Sequence, residues 1–186
     1  FDLDGTLVDS SRGILETFKF ILEKNKIKPI LEIEKSIIGP PLLDTMRKIT
    51  GIEDQNILKV LCKNFINRYD SKGILKTNFY DDVPILLNKL FNDGHILYIA
   101  TNKREFAAKK IIEHFSWVKY FKKIFSLDSF NPPLKDKEAL IKNLILQEKI
   151  NNKNCYFIGD RLSDQIAAQN NSIKFFLAEW GYEKFP

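Results

Sequence analysis

Two carboxylates near the start of the chain stand where a parallel strand would end. The sequence opens Phe1-Asp2-Leu3-Asp4-Gly5, so an apolar residue separates the acids and a glycine then lets the chain turn. Ligands of open α/β sheets bind at the carboxyl ends of the strands. One acid there can act as a nucleophile and the other as a general acid and base, provided that their environments differ. A polar turn with two solvated acids is the alternative.

A second acidic segment, Gly159 to Asp164, directly follows the apolar run Cys155 to Ile158. Asp160 is expected at a strand end, and Asp164 one helical turn later on the same face. A capped surface helix explains either acid alone, but two acidic strand ends in one sheet favour a shared metal site. Hard oxygen ligands, without a cluster of His or Cys, favour Mg²⁺ over zinc.

A third segment, Thr101-Asn102-Lys103, follows the apolar run Ile96 to Ala100. A hydroxyl and backbone N–H groups at a helix N-terminus can bind a phosphate group. An ordinary helix cap is the alternative reading of the same residues.

Two lysines flank the start of a helix that Asp136 is expected to cap. Lys137 lies in its first turn and Lys135 just outside it. Either lysine can reach a phosphate, although lysines are so frequent in this chain that both are also typical of a solvated surface.

Strand and helix patterns alternate from residue 82 to the end, which predicts an α/β fold with a parallel sheet. The predicted strands are the end of a first strand at 1–3, followed by 96–100, 124–127, 155–158 and 174–178. Residues 12–78 instead carry helical stripes and no convincing strand. We therefore predict an α/β core of residues 1–11 and 79–186, with an all-helical module of residues 12–78 inserted after the first strand.

In this order, the four motifs resemble those of the haloacid dehalogenase-like hydrolase superfamily over essentially the whole chain. FDLDGTLVDS is highly specific to that superfamily, and GDRLSD is moderately specific. The segment IIGPPLLDTM and the ending WGY are similar to the phosphoglycolate phosphatase-like branch. The resemblance implies a Rossmann-like parallel sheet flanked by helices, with residues 12–78 as a small helical cap.

The resemblance also implies roles for single residues. Asp2 is then the nucleophile and Asp4 the general acid and base. Thr101, Asn102 and Lys137 hold the phosphoryl group. The carboxylates of Asp2 and Asp160 and the backbone carbonyl of Asp4 bind Mg²⁺, and Asp164 orients the lysine or a metal-bound water.

One departure concerns the lysine motif, because many members have Lys followed by Pro where this chain reads PPLKDKEALI. KEALI matches a variant of the branch in which Lys opens the helix directly, so Lys137 is preferred and Lys135 stays open. In the cap, Arg47 and Arg68 are candidate contacts to a carboxylate or second phosphate of the substrate, and both also suit a solvated helix.

The activity implied is that of a Mg²⁺-dependent phosphatase acting on a small phosphate monoester through an aspartyl phosphate. Phosphoglycolate-like compounds, nucleotides and sugar phosphates all remain open as substrates. A sugar phosphomutase of the same superfamily is the alternative, as is a 5'-nucleotidase or pyrophosphatase. Mutases usually carry another residue where Thr6 stands. A binding protein that has lost turnover is a further possibility.

Composition sets broader expectations. The formal charge is +5 and the pI is about 9.0, but the lysines are scattered, so a small phosphorylated metabolite is favoured over nucleic acid as the partner. No apolar run approaches the roughly 20 residues that cross a bilayer.

Cys62 and Cys155 lack metal-ligand spacing and are predicted to be reduced, as in the cytoplasm. A monomer or homodimer is expected. Because the chain begins with Phe rather than Met, a short natural N-terminal stretch is expected to be missing.

Overall fold

The computed structural model describes residues 1–184 of the 186, so the last two residues of the predicted core lie outside the described residues. The contacts divide the chain into two compact units. One comprises Phe1–Asp9 together with the chain from Asn78 onward, and the other comprises Ser10–Thr77. Among residues 1–184, no helix has both the length and the apolarity needed to cross a bilayer.

The larger unit contains six strands and four α-helices within its described residues. In chain order they are β1 (Val8–Asp9), β2 (Asn78–Phe79), α4 (Val83–Asn92), β3 (Leu97–Thr101), α5 (Glu105–His114), β4 (Phe121–Ser126), α6 (Lys137–Glu148), β5 (Tyr156–Gly159), α7 (Leu162–Asn170) and β6 (Lys174–Leu177), where α4 follows three helices of the smaller unit. β1 pairs with β2 in an antiparallel manner, whereas β3 with β4, and β5 with β6, are parallel pairs.

Residues 1–3, predicted as the end of a first strand, are not among the six strands, but their backbone joins the two parallel pairs. The Ala100 N–H donates to the Phe1 carbonyl at 2.9 Å, and the Asp2 N–H donates to the Ile158 carbonyl at 2.8 Å. Asp2 thus lies between the carboxyl ends of β3 and β5. The predicted α/β class with a parallel sheet is confirmed.

A buried apolar cluster fixes the helices on this sheet. α6 packs on β3 and β4, and α7 packs on β5 and β6. Leu140 and Ile141 of α6 meet Phe125 and Phe157 of the strands in the cluster. α6 begins where predicted, because the Asp136 side chain accepts a hydrogen bond from the Ala139 N–H at 2.9 Å. Its first residue, Lys137, is thereby held at the sheet edge.

The smaller unit is helical. Its α-helices are α1 (Ser11–Lys24), α2 (Leu42–Thr50) and α3 (Gln55–Arg68), and a π-helical turn (Tyr69–Gly73) continues from α3. α2 ends at Gly51, which adopts the left-handed conformation that glycine favours. One detail of the prediction is wrong: residue 78, assigned to a module without strands, begins β2 because its backbone pairs with Asp9.

Candidate active site

Three carboxylates meet at the carboxyl edge of the sheet. Asp2, Asp160 and Asp164 each offer an oxygen within 4.8 Å of the others, and all three side chains are buried. They reach this point because segment 1–3 is hydrogen-bonded to Ile158 of β5, and because α7 starts two residues after Asp160. The two acidic segments that the sequence placed at strand ends are therefore adjacent in the fold.

Lys137 supplies a positive charge inside this cluster. Its Nζ lies 3.0 Å from Asp2 Oδ2 and 2.5 Å from Asp164 Oδ1, and its side chain is only 4% exposed. Burial alone would lower the pKa of Lys137, but attraction by Asp164 and Asp2 outweighs it and raises the pKa above its ordinary value. The alternative, Lys135, has a side chain that is 92% exposed and contacts Asp136 instead.

Asp160 is enclosed by backbone from two distant segments. Its Oδ2 accepts a hydrogen bond from the Tyr182 N–H at 2.7 Å, and its Oδ1 accepts one from the Thr6 hydroxyl at 3.4 Å. A Cβ atom at Gly5 or at Gly181 would overlap with the Asp160 side chain, so both positions require glycine. Burial, together with repulsion from Asp2, raises the pKa of Asp160 to about 7.

The WGY segment was noticed in the sequence only through a resemblance, and the structure gives it a physical role. The Trp180 indole donates to the Thr6 carbonyl at 3.0 Å, and the Tyr182 hydroxyl donates to Asp9 at 3.1 Å. These contacts hold the backbone N–H of Tyr182 against Asp160. No property of the segment alone would have indicated this contact.

Asp4 is not part of the three-acid cluster and contacts Lys103. The lysine Nζ lies 3.1 Å from Asp4 Oδ1 and 2.9 Å from Asp4 Oδ2. Thr101 is buried at the end of β3, and its hydroxyl accepts a hydrogen bond from the Lys103 N–H at 3.2 Å. Asn102, between them, is partly exposed. The sequence placed Lys103 in the phosphate motif but gave its side chain no role.

The acidic cluster fits a hard divalent cation. Asp2 Oδ1 is buried and has no hydrogen-bond partner, which is costly for a carboxylate oxygen without a cation or a water. Oxygen ligands without thiol or imidazole are the donors that Mg²⁺ prefers. Asp2 and Asp160 therefore remain our predicted carboxylate ligands, and the Asp4 carbonyl our predicted backbone ligand.

The two arginines predicted as substrate contacts are engaged within the helical unit. Arg47 forms ion pairs with Asp44 at 3.3 Å and with Glu53 at 3.4 Å. The Arg68 guanidinium lies over the Phe20 ring, 3.4 Å from its centroid. A role in substrate binding stays a prediction for both.

Comparison with known proteins gives consistent results. The sequence model of the haloacid dehalogenase-like hydrolase family matches residues 1–178. A 5'-nucleotidase of Pseudomonas aeruginosa is 32% identical over 183 residues, covering 98% of this chain and 82% of that protein. A phosphoglycolate phosphatase of Aquifex aeolicus is 29% identical over 194 residues, covering 99% and 85%. The crystal structure of a predicted phosphatase from Clostridium acetobutylicum superimposes with a TM-score of 0.88 at 31% identity, covering 100% of this chain and 85% of that one.

Proposed function

Because this chain belongs to the haloacid dehalogenase-like hydrolase family, we propose that it hydrolyses a small phosphate monoester through a phosphoryl group carried on Asp2. Its phosphatase relatives make it a phosphoric monoester hydrolase. The observation that supports Asp2 as the nucleophile is its setting. One carboxylate oxygen is held by Lys137, while the other is buried without a hydrogen-bond partner beside two further acids.

Charge explains why these groups belong together. A phosphate dianion next to Asp2, Asp160 and Asp164 adds repulsion between like charges. Each pair of unit charges 4 Å apart repels by about 4 kcal/mol when the effective dielectric is near 20. Lys137 offsets part of it. We propose that Asp2, Asp160 and the Asp4 carbonyl hold Mg²⁺, which when bound neutralises further negative charge on the carboxylates and the phosphate.

The chain's own groups then account for two half-reactions. In the first, an Asp2 oxygen bonds to phosphorus, the ester P–O bond breaks, and the leaving oxygen takes a proton from Asp4. In the second, Asp4 takes a proton from the water that attacks the aspartyl phosphate, which releases phosphate and restores Asp2. Lys137 stabilises the transferring phosphoryl oxygens, and the Thr101 hydroxyl and the Asn102 backbone assist in holding them.

The substrate class proposed is a small monoester, with nucleotides and phosphoglycolate-like compounds as the first candidates. The similarity to a 5'-nucleotidase and to a phosphoglycolate phosphatase supports both. Release of inorganic phosphate from monoesters without a bisphosphate activator separates hydrolysis from the mutase alternative.

The experiment is a panel of monoesters ranked by kcat/KM with the purified chain and Mg²⁺, because that ratio measures discrimination in the transition state. The panel contains p-nitrophenyl phosphate, phosphoglycolate, nucleoside 5'-monophosphates and sugar phosphates. Asp2→Asn keeps the shape of the side chain but removes the nucleophile, so turnover and acid-stable labelling of the protein by radioactive substrate phosphate should both be lost. Retention of more than about a tenth of the activity by Asp2→Asn, with its fold intact, would contradict the proposal.

A further inference from the structure

The contact between Lys103 and Asp4 is unusually well enclosed for an ion pair of a lysine. Nζ lies within 3.1 Å of both carboxylate oxygens, and the two side chains are 6% and 13% exposed. Exposed ion pairs contribute little to stability, because both side chains lose conformational freedom and solvent screens the attraction. Here solvent is largely excluded, and charge-assisted hydrogen bonds in such a setting hold a carboxyl group in a defined orientation.

The backbone that carries Lys103 is held at both ends. On one side, the Lys103 N–H donates to the hydroxyl of Thr101, the last residue of β3. On the other, the first N–H of α5, that of Glu105, donates to Asp128 at 2.9 Å. The loop of residues 102–104 is therefore fixed between a central strand and the helix that follows it. The ammonium reaches Asp4 from an anchored position.

We propose that Lys103 is a positioning residue that holds the Asp4 carboxyl in the orientation needed for proton transfer. This inference rests on the function proposed above. Asp4 has two proton transfers to perform, one to the leaving oxygen and one from water, and each needs an oxygen of its carboxyl group aimed at the reacting atom. Because the Lys103 ammonium contacts both oxygens, rotation of the carboxyl group about its Cβ–Cγ bond is restricted. A carboxyl oxygen can take part in more than one hydrogen bond, so an oxygen held by Lys103 can also face the reacting atom.

Proton delivery matters more for some substrates than for others, and this provides the test. As the Asp2 O–P bond forms and the ester bond breaks, the electron pair goes to the leaving oxygen. An alkoxide must be protonated as it leaves, whereas p-nitrophenolate is stable without a proton. The second proton transfer, from water, is common to all substrates and does not enter kcat/KM, which reflects the steps up to loss of the leaving alcohol. A residue that only positions Asp4 therefore lowers kcat/KM selectively for alkyl esters, while a residue that binds phosphate lowers it for both classes alike.

The experiment compares Lys103→Met and Lys103→Arg with the unaltered protein on glycerol phosphate and on p-nitrophenyl phosphate, at saturating Mg²⁺. For Lys103→Met we expect kcat/KM on glycerol phosphate to fall about 10²-fold, the lower end of the range for general acid–base catalysis. On p-nitrophenyl phosphate we expect kcat/KM to fall by less than about tenfold. Lys103→Arg keeps a donor to Asp4 and should recover part of the activity on the alkyl ester.

The matched control is Lys110→Met, which removes an exposed lysine that pairs with Glu113 on the surface of α5. It should change neither rate. Equal losses of kcat/KM by Lys103→Met on both esters, or no loss on either, would overturn the positioning role alone. Should Lys103→Met fail to fold, Lys103→Gln, which also removes the positive charge, is measured and interpreted in the same way. Absence of phosphate release by the unaltered protein would overturn the proposed function and this inference with it.

Discussion

Lys137 and Asp164 are 27 residues apart in the chain and form a buried ion pair with 2.5 Å between Nζ and Oδ1. The same ammonium also lies 3.0 Å from Asp2. One ammonium group thus contacts two buried carboxylates. If Lys137 were removed, the negative charges of Asp2 and Asp164 would both stay buried without this cation. The group that is expected to hold phosphate during turnover is also part of what stabilises the fold.

Lys137→Met should therefore lower the free energy of unfolding. Removing one partner of a buried pair costs about 3–5 kcal/mol, because the remaining charge stays buried. The measurement is urea denaturation in EDTA. Lys135→Met is the matched control, since Lys135 is almost fully exposed and its loss should stay within about 0.5 kcal/mol. Adding Asp164→Asn to Lys137→Met should restore part of the stability. Equal effects of the two single lysine substitutions would show that the buried pair is not formed.

Gly5 and Gly94 offer a comparison that separates backbone strain from a clash. Both have positive φ, +85° and +81°, but a Cβ at Gly5 would overlap with the Asp160 side chain, whereas one at Gly94 would meet nothing within 4 Å. Gly94→Ala should cost about 1–2 kcal/mol for the left-handed conformation alone. Gly5→Ala should cost a further 1–3 kcal/mol or so for the overlap. Urea denaturation of both variants checks this, and equal losses would mean that Asp160 is not enclosed as described.

The two cysteines should react slowly in the folded protein. Both are free and half-buried, and burial raises the pKa of Cys62 to about 11 and that of Cys155 above its ordinary value. Because the thiolate is the nucleophile, Cys62 should react with a disulfide reagent at neutral pH about a hundredfold more slowly than a thiol whose pKa is 9.0. The rate should rise with pH. Cys62→Ser leaves Cys155 alone for comparison, and rapid labelling of the folded protein would contradict the burial.

The strand-end acids were predictable because their signal is local. An apolar strand followed by Asp, together with a helix capped by Asp136, already places Asp2, Asp160 and Lys137 at one edge once the sheet is parallel. The enclosure of Asp160 by Gly5 and Gly181 was not predictable, since it depends on segments that are far apart in the chain. The same holds for the contact of Lys103 with Asp4, 99 residues apart.

Helical periodicity also has a limit that α4 illustrates. Apolar residues recur along it at helical spacing, at Val83, Leu86, Leu87, Leu90 and Phe91, but only Val83 and Leu87 are buried. Leu86 and Phe91 are exposed. The pattern shows which face of a helix is apolar, whereas the neighbouring elements decide how much of that face is covered.

Asp160 should contribute a loss of stability to the metal-free protein as pH rises. Its pKa is about 7 in the folded state, because of burial and repulsion from Asp2, against about 3.9 in an unfolded chain. The folded state then binds the proton more tightly, so ionisation of Asp160 disfavours folding. The resulting loss of stability begins as pH rises above the unfolded value and is complete once pH exceeds about 7. In EDTA, Tm should fall between pH 5 and pH 8 through this group.

Asp160→Asn tests this response and the metal site together. The amide keeps an oxygen that can accept the hydrogen bond of the Tyr182 N–H, but it carries no charge. In EDTA at pH 8, the variant should therefore have a higher Tm than the unaltered protein. At pH 5 the difference in Tm should be smaller. Added Mg²⁺ should raise the Tm of the unaltered protein at pH 8, because a ligand that binds only the folded state stabilises it, but should have little effect on the variant. Asp44→Asn, which removes an exposed carboxylate, is the control and should keep the full response to Mg²⁺. If Mg²⁺ raises the Tm of Asp160→Asn as much as that of the control, Asp160 is not a ligand.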